Sequence, residues 1–171
     1  MVPPTNYIRH MAAQVSLDSV DLEILRRLQN NARITNRALA AGAGIAPSTC
    51  LDRVSRLREA GVITGYGVRL DPAAMGLSLQ AFLAVQVRPH RRDVAAGFVA
   101  HVRRLPQVRA LFHVTGHDDF LVQVAVEGVA ELQRLVLDQF TARSEVVTVN
   151  TNLIYEEWPG QPLLPRETNP H

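Results

Sequence analysis

Residues 35–61 stop one helix and start another within a few positions, and few folds accommodate that pattern. Thr35 is a good N-cap, because its side-chain oxygen accepts from a free backbone N–H of the first turn. Asn36-Arg37-Ala38-Leu39-Ala40-Ala41 then reads as a helix built of mostly strong formers. Gly42-Ala43-Gly44 is expected to end it, since glycine takes left-handed backbone angles with little strain. Ile45 buries the turn. Pro47 suits the first position of a second helix, where its missing N–H is an orphan in any case. That helix is predicted from Pro47 to Ala60, with Gly61 ending it.

The second helix has two unlike faces. Cys50, Val54 and Leu57 recur at helical spacing and are expected to point inward with Ile45. Ser48, Thr49, Asp52, Arg53 and Arg56 fall on the N-terminal and opposite surface. Short hydroxyls in the first turn with arginines one and two turns later suit entry into a DNA major groove. First-turn groups reach base edges or phosphate, and a guanidinium binds guanine or phosphate through paired N–H groups. The spacing is that of a helix-turn-helix. A solvated helix face, or pairing of Arg53 with the helix pair's own acids, is the plainer alternative.

An amphipathic helix precedes this pair over residues 17–31, capped by Asp18 or Ser19. Its stripe is Leu17, Val20, Ile24, Leu25 and Leu28. Residues 1–15 show little periodicity and are expected to form a mobile tail. After Gly61 the period changes. Residues 62–70 read as a short strand or small wing, and Asp71-Pro72-Ala73-Ala74-Met75-Gly76 as a hinge, so residues 62–78 are taken as a strand and linker.

The remainder alternates strand and helix. Residues 79–87 are an apolar strand that Pro89 and His90-Arg91-Arg92 break. Residues 93–105 are helical, 108–115 and 120–126 are strands, 129–141 are helical, and 146–155 are the last strand. The order β-α-β-β-α-β predicts a ferredoxin-like unit over residues 79–157. The chain is thus expected to be α+β, an N-terminal winged helix-turn-helix over 16–61 followed by a ferredoxin-like βαββαβ domain. With both helices on one side, the other sheet face needs cover. Leu83, Val85, Leu121 and Leu153 supply apolar content on one or other face, which predicts a homodimer through this domain. Residues 158–171, rich in Pro, Gln, Arg, Glu and Asn, read as a second mobile tail.

Composition sets outer bounds. The chain has 171 residues, 47% of them hydrophobic, enough for a packed core. A net charge of +2 permits nucleic-acid binding only where the charge is local. One cysteine, Cys50, excludes an internal disulfide and a CxxC metal site; it reads as a small core residue. His113, His117, Asp118 and Asp119 need not converge on a metal, and none is expected. No apolar run reaches about 18 residues, so no membrane span is expected. The N-terminus shows no signal-peptide core, and a cytoplasmic protein is the expectation.

Several pieces together resemble the Lrp/AsnC family of transcription regulators. They are Leu17-Asp18 with Asp21, Ile24-Leu25, Leu28-Gln29 and Arg33, and Ser48-Thr49-Cys50-Leu51-Asp52-Arg53-Val54-Ser55-Arg56-Leu57. Gly61-Val62-Ile63, Gly65-Tyr66 and the Gly-x-x-Asp-aromatic turn within Thr115-Gly116-His117-Asp118-Asp119-Phe120 follow, so the resemblance spans about residues 16–157. It implies a DNA-binding domain joined to a ligand-sensing and dimerisation domain. It also implies sheet-to-sheet dimers that assemble into tetramers or octamers. An amino acid or related metabolite is implied between dimers near the turn.

Gly116 and Asp119 carry over by motif; His117, Asp118 and Thr151 complete the expected effector set. Asp119 is suited to accept from an α-ammonium, and the Gly116 backbone to approach a carboxylate closely. The chain departs from the family pattern at Asp118, at Phe120, at Val149-Asn150-Thr151, and at Ala46, where a serine cap is common. No catalytic set and no cofactor are expected. The alternatives are a small-molecule binding module or enzyme on the ferredoxin-like domain, and an architectural DNA-binding protein without an effector.

Overall fold

The computed structural model describes residues 15–165. The expected N-terminal tail lies outside the described residues except for Val15, as do residues 166–171 of the expected C-terminal tail. The chain divides into two compact units. The first holds the residues up to Val68 together with those from Pro159 onward; the second is Arg69–Trp158.

Three helices make the first unit: α1 (Ser19–Asn30), α2 (Asn36–Ala43) and α3 (Pro47–Glu59). Asp18 and Asp21 close the start of α1 reciprocally. Asp18 Oδ1 accepts the Asp21 N–H at 2.8 Å, and Asp21 Oδ2 accepts the Asp18 N–H at 3.2 Å. Thr35 Oγ1 accepts the Ala38 N–H at 3.2 Å and starts α2, as its sequence predicts. That helix runs through Gly42 and Ala43, past its expected stop. Gly42 serves packing rather than termination: the Arg27 guanidinium lies against it, and a Cβ there would sit 2.2 Å from Arg27 Cζ. The turn falls to Gly44, whose φ of 69° is the left-handed angle that glycine adopts freely. Asn36 Nδ2 then bridges the turn by donating to the Pro47 carbonyl at 2.8 Å. Ile24, Leu39, Ala40, Cys50 and Leu57 are buried between the helices, each large aliphatic side chain contributing about 1.5–3 kcal/mol.

Two expectations are corrected in this unit. No strand forms over residues 62–72. Instead the Val62 and Ile63 N–H groups both donate to the Leu57 carbonyl, at 2.9 and 3.1 Å, and their side chains join the helical core. Val62 and Ile63 therefore finish the helix-turn-helix rather than begin a linker. The C-terminal segment also does not run free. Leu163 exchanges two backbone bonds with the Gln29 amide, donating to Oε1 at 2.7 Å and accepting from Nε2 at 3.0 Å. Leu164 packs against the same helical core.

The second unit contains β1 (Leu79–Val87), α4 (Arg92–Val102), β2 (Val108–His113), β3 (Phe120–Val126), α5 (Val129–Leu135) and β4 (Val146–Leu153). All neighbours are antiparallel in the order β2-β3-β1-β4, the ferredoxin-like topology its sequence predicts. Past Leu135 the helix widens into π turns over Val136–Thr141. The wider pitch brings Phe140, five residues after Leu135, onto the buried face. Alternate strand residues Ala81, Leu83, Val85 and Val87 pack with Phe98, Val102 and Phe140. Leu83 and Val85 thus lie beneath the helices, not on a face awaiting a partner. The opposite face carries the cross-strand row Asn150–Ala84–Leu121–Phe112, fixed by the strand registers, with Phe82 beside it.

Shortening Leu164 tests the docked C-terminal segment. Leu164→Ala is expected to lower the stability of the first unit by about 1–2 kcal/mol, because its side chain is only partly buried. The denaturation midpoint followed by far-UV circular dichroism measures this; an unchanged midpoint means the packing of Leu164 adds nothing.

Candidate nucleic-acid interface and effector cleft

In the first unit, α3 has one face in the core and one in solvent. Cys50 and Leu57 are buried, while Ser48, Thr49 and Asp52 are exposed. Burial pushes the Cys50 thiol up, as fits a core residue rather than a reactive one. Ala46 precedes α3 and offers no side-chain cap. The first-turn N–H groups of a helix lack intrahelical acceptors, so this end is suited to meet an anion. Leu51, 57% exposed, adds an apolar group beside the hydroxyls.

The two arginines expected on that face are not alike. Arg53 Nη1 lies 2.7 Å from Asp18 Oδ2 and 2.9 Å from Asp21 Oδ1. Arg56 Nη2 lies 2.5 Å from Asp21 Oδ2, and 52% of its side chain is exposed. Both acids that Arg53 meets therefore lie at the start of α1, outside the helix pair in which its sequence places partners. Arg33, Arg37 and Arg58 have no acidic partner among the described residues, whereas Arg26 and Arg27 both pair with Glu23.

In the second unit, the turn between β2 and β3 holds Gly116 at φ 126°, an angle that side-chain-bearing residues rarely adopt. The residues after it diverge. The His117 carbonyl accepts from Gln86 Nε2 at 2.7 Å, and its ring stands beside the Gln86 amide and the Asp118 carboxylate. The Asp119 side chain folds over the end of β1 instead. Its Oδ2 accepts the Val87 N–H at 2.8 Å and an Arg88 N–H at 3.1 Å, and its Oδ1 lies 3.4 Å from His90 Nδ1.

Asp119 thereby borders a cleft of about 500 Å³. Val87, Val99 and Phe120 give it an apolar wall, Arg91 and Arg92 a cationic one, and His90 lines it beside them. The His113 ring stacks on Phe120 with centroids 4.7 Å apart. The N-terminus of α4, at Arg91, has no side-chain cap. His117, Asp118 and Thr151 are not among the residues lining the cleft. Thr151 sits exposed on β4 opposite Leu83. So one chain gathers only Asp119 of the expected side chains. Its cationic neighbours were missed: the run from Arg88 to Arg92 reads in sequence merely as the break after a strand. The described residues hold no group of three or more His, Cys, Asp or Glu side chains placed to bind a metal ion.

A helix-turn-helix unit joined to a ferredoxin-like unit with a ligand-sized cleft defines a DNA-binding transcription regulator with a ligand-binding domain. Residues 17–64 match the family model for a winged helix-turn-helix DNA-binding domain, and residues 80–162 match that for the Lrp/AsnC ligand binding domain. The HTH-type transcriptional regulator AldR of Mycolicibacterium smegmatis is 44% identical over 144 residues, 84% of this chain and 84% of that protein. A leucine-responsive regulatory protein of Rhizobium meliloti is 42% identical over 144 residues, 84% of this chain and 92% of that one. The solved structure of a transcriptional regulator from Neisseria meningitidis in complex with L-Met superposes with a TM-score of 0.81 at 33% identity, covering 88% of this chain and 97% of that one. The chain belongs to the Lrp/AsnC family of transcription regulators, and its relatives are regulators rather than enzymes.

The α1 cap sets an acid dependence. The Asp21 backbone N–H, and then the Arg53 guanidinium, hold the Asp18 carboxyl below its ordinary 3.8. A lowered value in the folded state stabilises above the ordinary one and is lost as pH falls through the lowered one. Asp18→Asn is therefore expected to flatten the loss of first-unit stability in the acid range below about pH 5. Urea midpoints of both proteins across that range measure it; parallel curves would remove Asp18 from the acid response.

Proposed function

We propose that the chain is a homodimeric regulator that reads double-stranded DNA with α3 and changes its affinity when an amino-acid-like effector occupies the second unit. The carrying observation is α3 itself: an uncapped, exposed N-terminus with Ser48, Thr49 and Asp52 outward, and Arg56 half-exposed two turns along from Ser48. Ser48 and Thr49 reach base edges or phosphate, Asp52 sits beside them, and Arg56 offers its remaining N–H donors. Arg53 supports the helix from behind. Two-fold pairing puts two such helices on half-sites about one helical turn, or a multiple, apart.

The cleft beside the Gly116–Asp119 turn suits an amino acid. Its carboxylate meets Arg92 and the α4 N-terminus, its ammonium Asp119, and an aliphatic side chain the Val87, Val99 and Phe120 wall. Because Asp119 already holds Val87, Arg88 and His90, it organises this cleft as well as facing the effector. His117, Asp118 and Thr151 join the site when a second dimer supplies the facing surface, in a tetramer or octamer of dimers. The complex of L-Met with the Neisseria meningitidis relative supports an effector of this kind. An effector shifts operator affinity only as far as it binds the two states differently. The protein works on chromosomal DNA, in the cytoplasm; among the described residues no helix is long and apolar enough to cross a membrane.

The test is binding of the purified protein to the DNA upstream of its own gene across a salt series, with and without each of the twenty amino acids. Expected is specific binding that weakens steeply with salt and is moved by at least one amino acid. Absence of salt-sensitive duplex binding at low ionic strength sinks the DNA reading. Binding that no amino acid moves leaves the regulator and removes the effector, the architectural alternative.

The open sheet face carries the dimer. Leu121→Arg puts a charge in the row between Ala84 and Phe112 and is expected to turn the dimer into monomers in sedimentation equilibrium. A dimer that persists unchanged means the partners meet elsewhere.

A further inference from the structure

The carboxylates of Asp18, the cap of α1, and of Asp21 within it face the two guanidiniums of α3, so the formal charges cancel. Asp21 is the inner member, its side chain 1% exposed. One of its oxygens takes Arg53 and the other takes Arg56. Withdrawing a carboxylate from water is unfavourable, and well-packed apolar residues often fill such a place equally well. Helix packing alone therefore does not call for an acid here. A carboxylate adds two things that an apolar residue lacks: a fixed position for each guanidinium, and a counter-charge.

The position matters because of where Arg56 sits. Ser48, Asp52 and Arg56 follow one another at four-residue spacing, a single row along the exposed side of α3. A guanidinium carries five N–H donors in a planar fork. Asp21 engages one end of that fork and leaves the rest in solvent. A guanidinium so held keeps its donors for a base edge while its pull on any nearby phosphate is damped.

We propose that Asp21 is a positioning residue for DNA recognition. It fixes Arg56 on the outer row of α3 and offsets its charge, so that the helix discriminates sequences instead of clamping phosphate indiscriminately. This rests on the reading of α3 as the DNA-contacting helix.

The experiment measures the wild type, Asp21→Asn, Arg56→Gln and the double variant on the upstream DNA and on an unrelated duplex, each across a salt series. Asp21→Asn keeps the side-chain volume and removes the charge. It is expected to bind the unrelated duplex up to about eightfold tighter at ~0.1 M salt, with a salt slope steeper by about 0.9, for each further phosphate that the released arginine neutralises. The ratio of specific to unrelated binding falls accordingly. Adding Arg56→Gln should abolish that increase. Arg56→Gln alone should weaken the specific site while changing the salt slope by less than half of what one phosphate contributes.

If Asp21→Asn weakens both duplexes in equal proportion with no steeper slope, Asp21 only holds the helices together and the proposal is wrong. Should that variant lose its helical circular dichroism, Arg56→Gln decides alone. A slope shallower by about 0.9 marks Arg56 as an ordinary phosphate clamp and overturns the proposal; an unchanged slope with a lost specific site upholds it. A wild type that binds neither duplex brings down the DNA reading itself, whereas a binding wild type with the contrary variant results brings down only the role of Asp21.

Discussion

One buried carboxylate joins the start of the first helix to the face of the third. Asp21 accepts the Asp18 N–H that closes α1, and the same two oxygens receive Arg53 and Arg56 from α3. The local bond orients the carboxylate, and the oriented carboxylate then sets where α3 can lie. Burial of Ile24 against Leu39, Cys50 and Leu57 supplies most of the stabilisation, but such contacts tolerate sliding. Directed ion pairs do not, because each guanidinium must meet an oxygen along its N–H bonds. The apolar contacts bring the three helices together; the acid settles their register.

The second unit answers a different constraint. A four-stranded antiparallel sheet has two faces, and α4 and α5 cover one of them. The row Asn150–Ala84–Leu121–Phe112 crosses all four strands on the other, polar at one edge and increasingly apolar toward β2. An apolar row across a sheet gains by meeting its like, which is why the proposed dimer is placed there. The same geometry leaves the Gly116–Asp119 turn at the sheet's end, where Asp119 folds over β1 and meets Arg88 and the His90 ring. A turn held by the backbone on one side and by cations on the other is a stable rim for a cleft rather than a passing loop.

Much of this architecture was legible in the sequence because it rests on local rules. Thr35 and Pro47 mark helix starts by their own chemistry, Gly44 marks the turn by its backbone freedom, and the β-α-β-β-α-β order of residues 79–157 gives the second unit its topology. What escaped depends on residues far apart in the chain. Arg53 and Asp21 are 32 positions apart, and no periodicity links them. The contact of Leu163 with Gln29 spans 134 positions, and a stretch of Pro, Gln and Gly gives no sign of it. The short strand expected at residues 62–70 is missing for the converse reason. Its composition suits a strand, but a strand needs a partner edge, and Val62 and Ile63 are bonded to Leu57 instead. For the expected effector set, motif resemblance singled out one turn but not which of its side chains border the cleft.

The charges of the first unit carry a last consequence. Net charge over the chain is only +2, too small for a general attraction to DNA. Within the unit, Glu23, Asp18 and Asp21 between them engage four arginines, and among the described residues Arg33, Arg37 and Arg58 are left without an acidic partner. A helix-turn-helix so sparing of unpaired charge binds an arbitrary duplex weakly, since non-specific affinity scales with the phosphates it neutralises. Useful affinity then has to come from elsewhere: from directional contacts to base edges by each α3, and from presenting two such helices at once. Duplication is effective because the second helix docks at the high local concentration set by the first. Weak charge in one reading unit and an apolar sheet face in the other are therefore two halves of one requirement, and a chain with the first feature has need of the second.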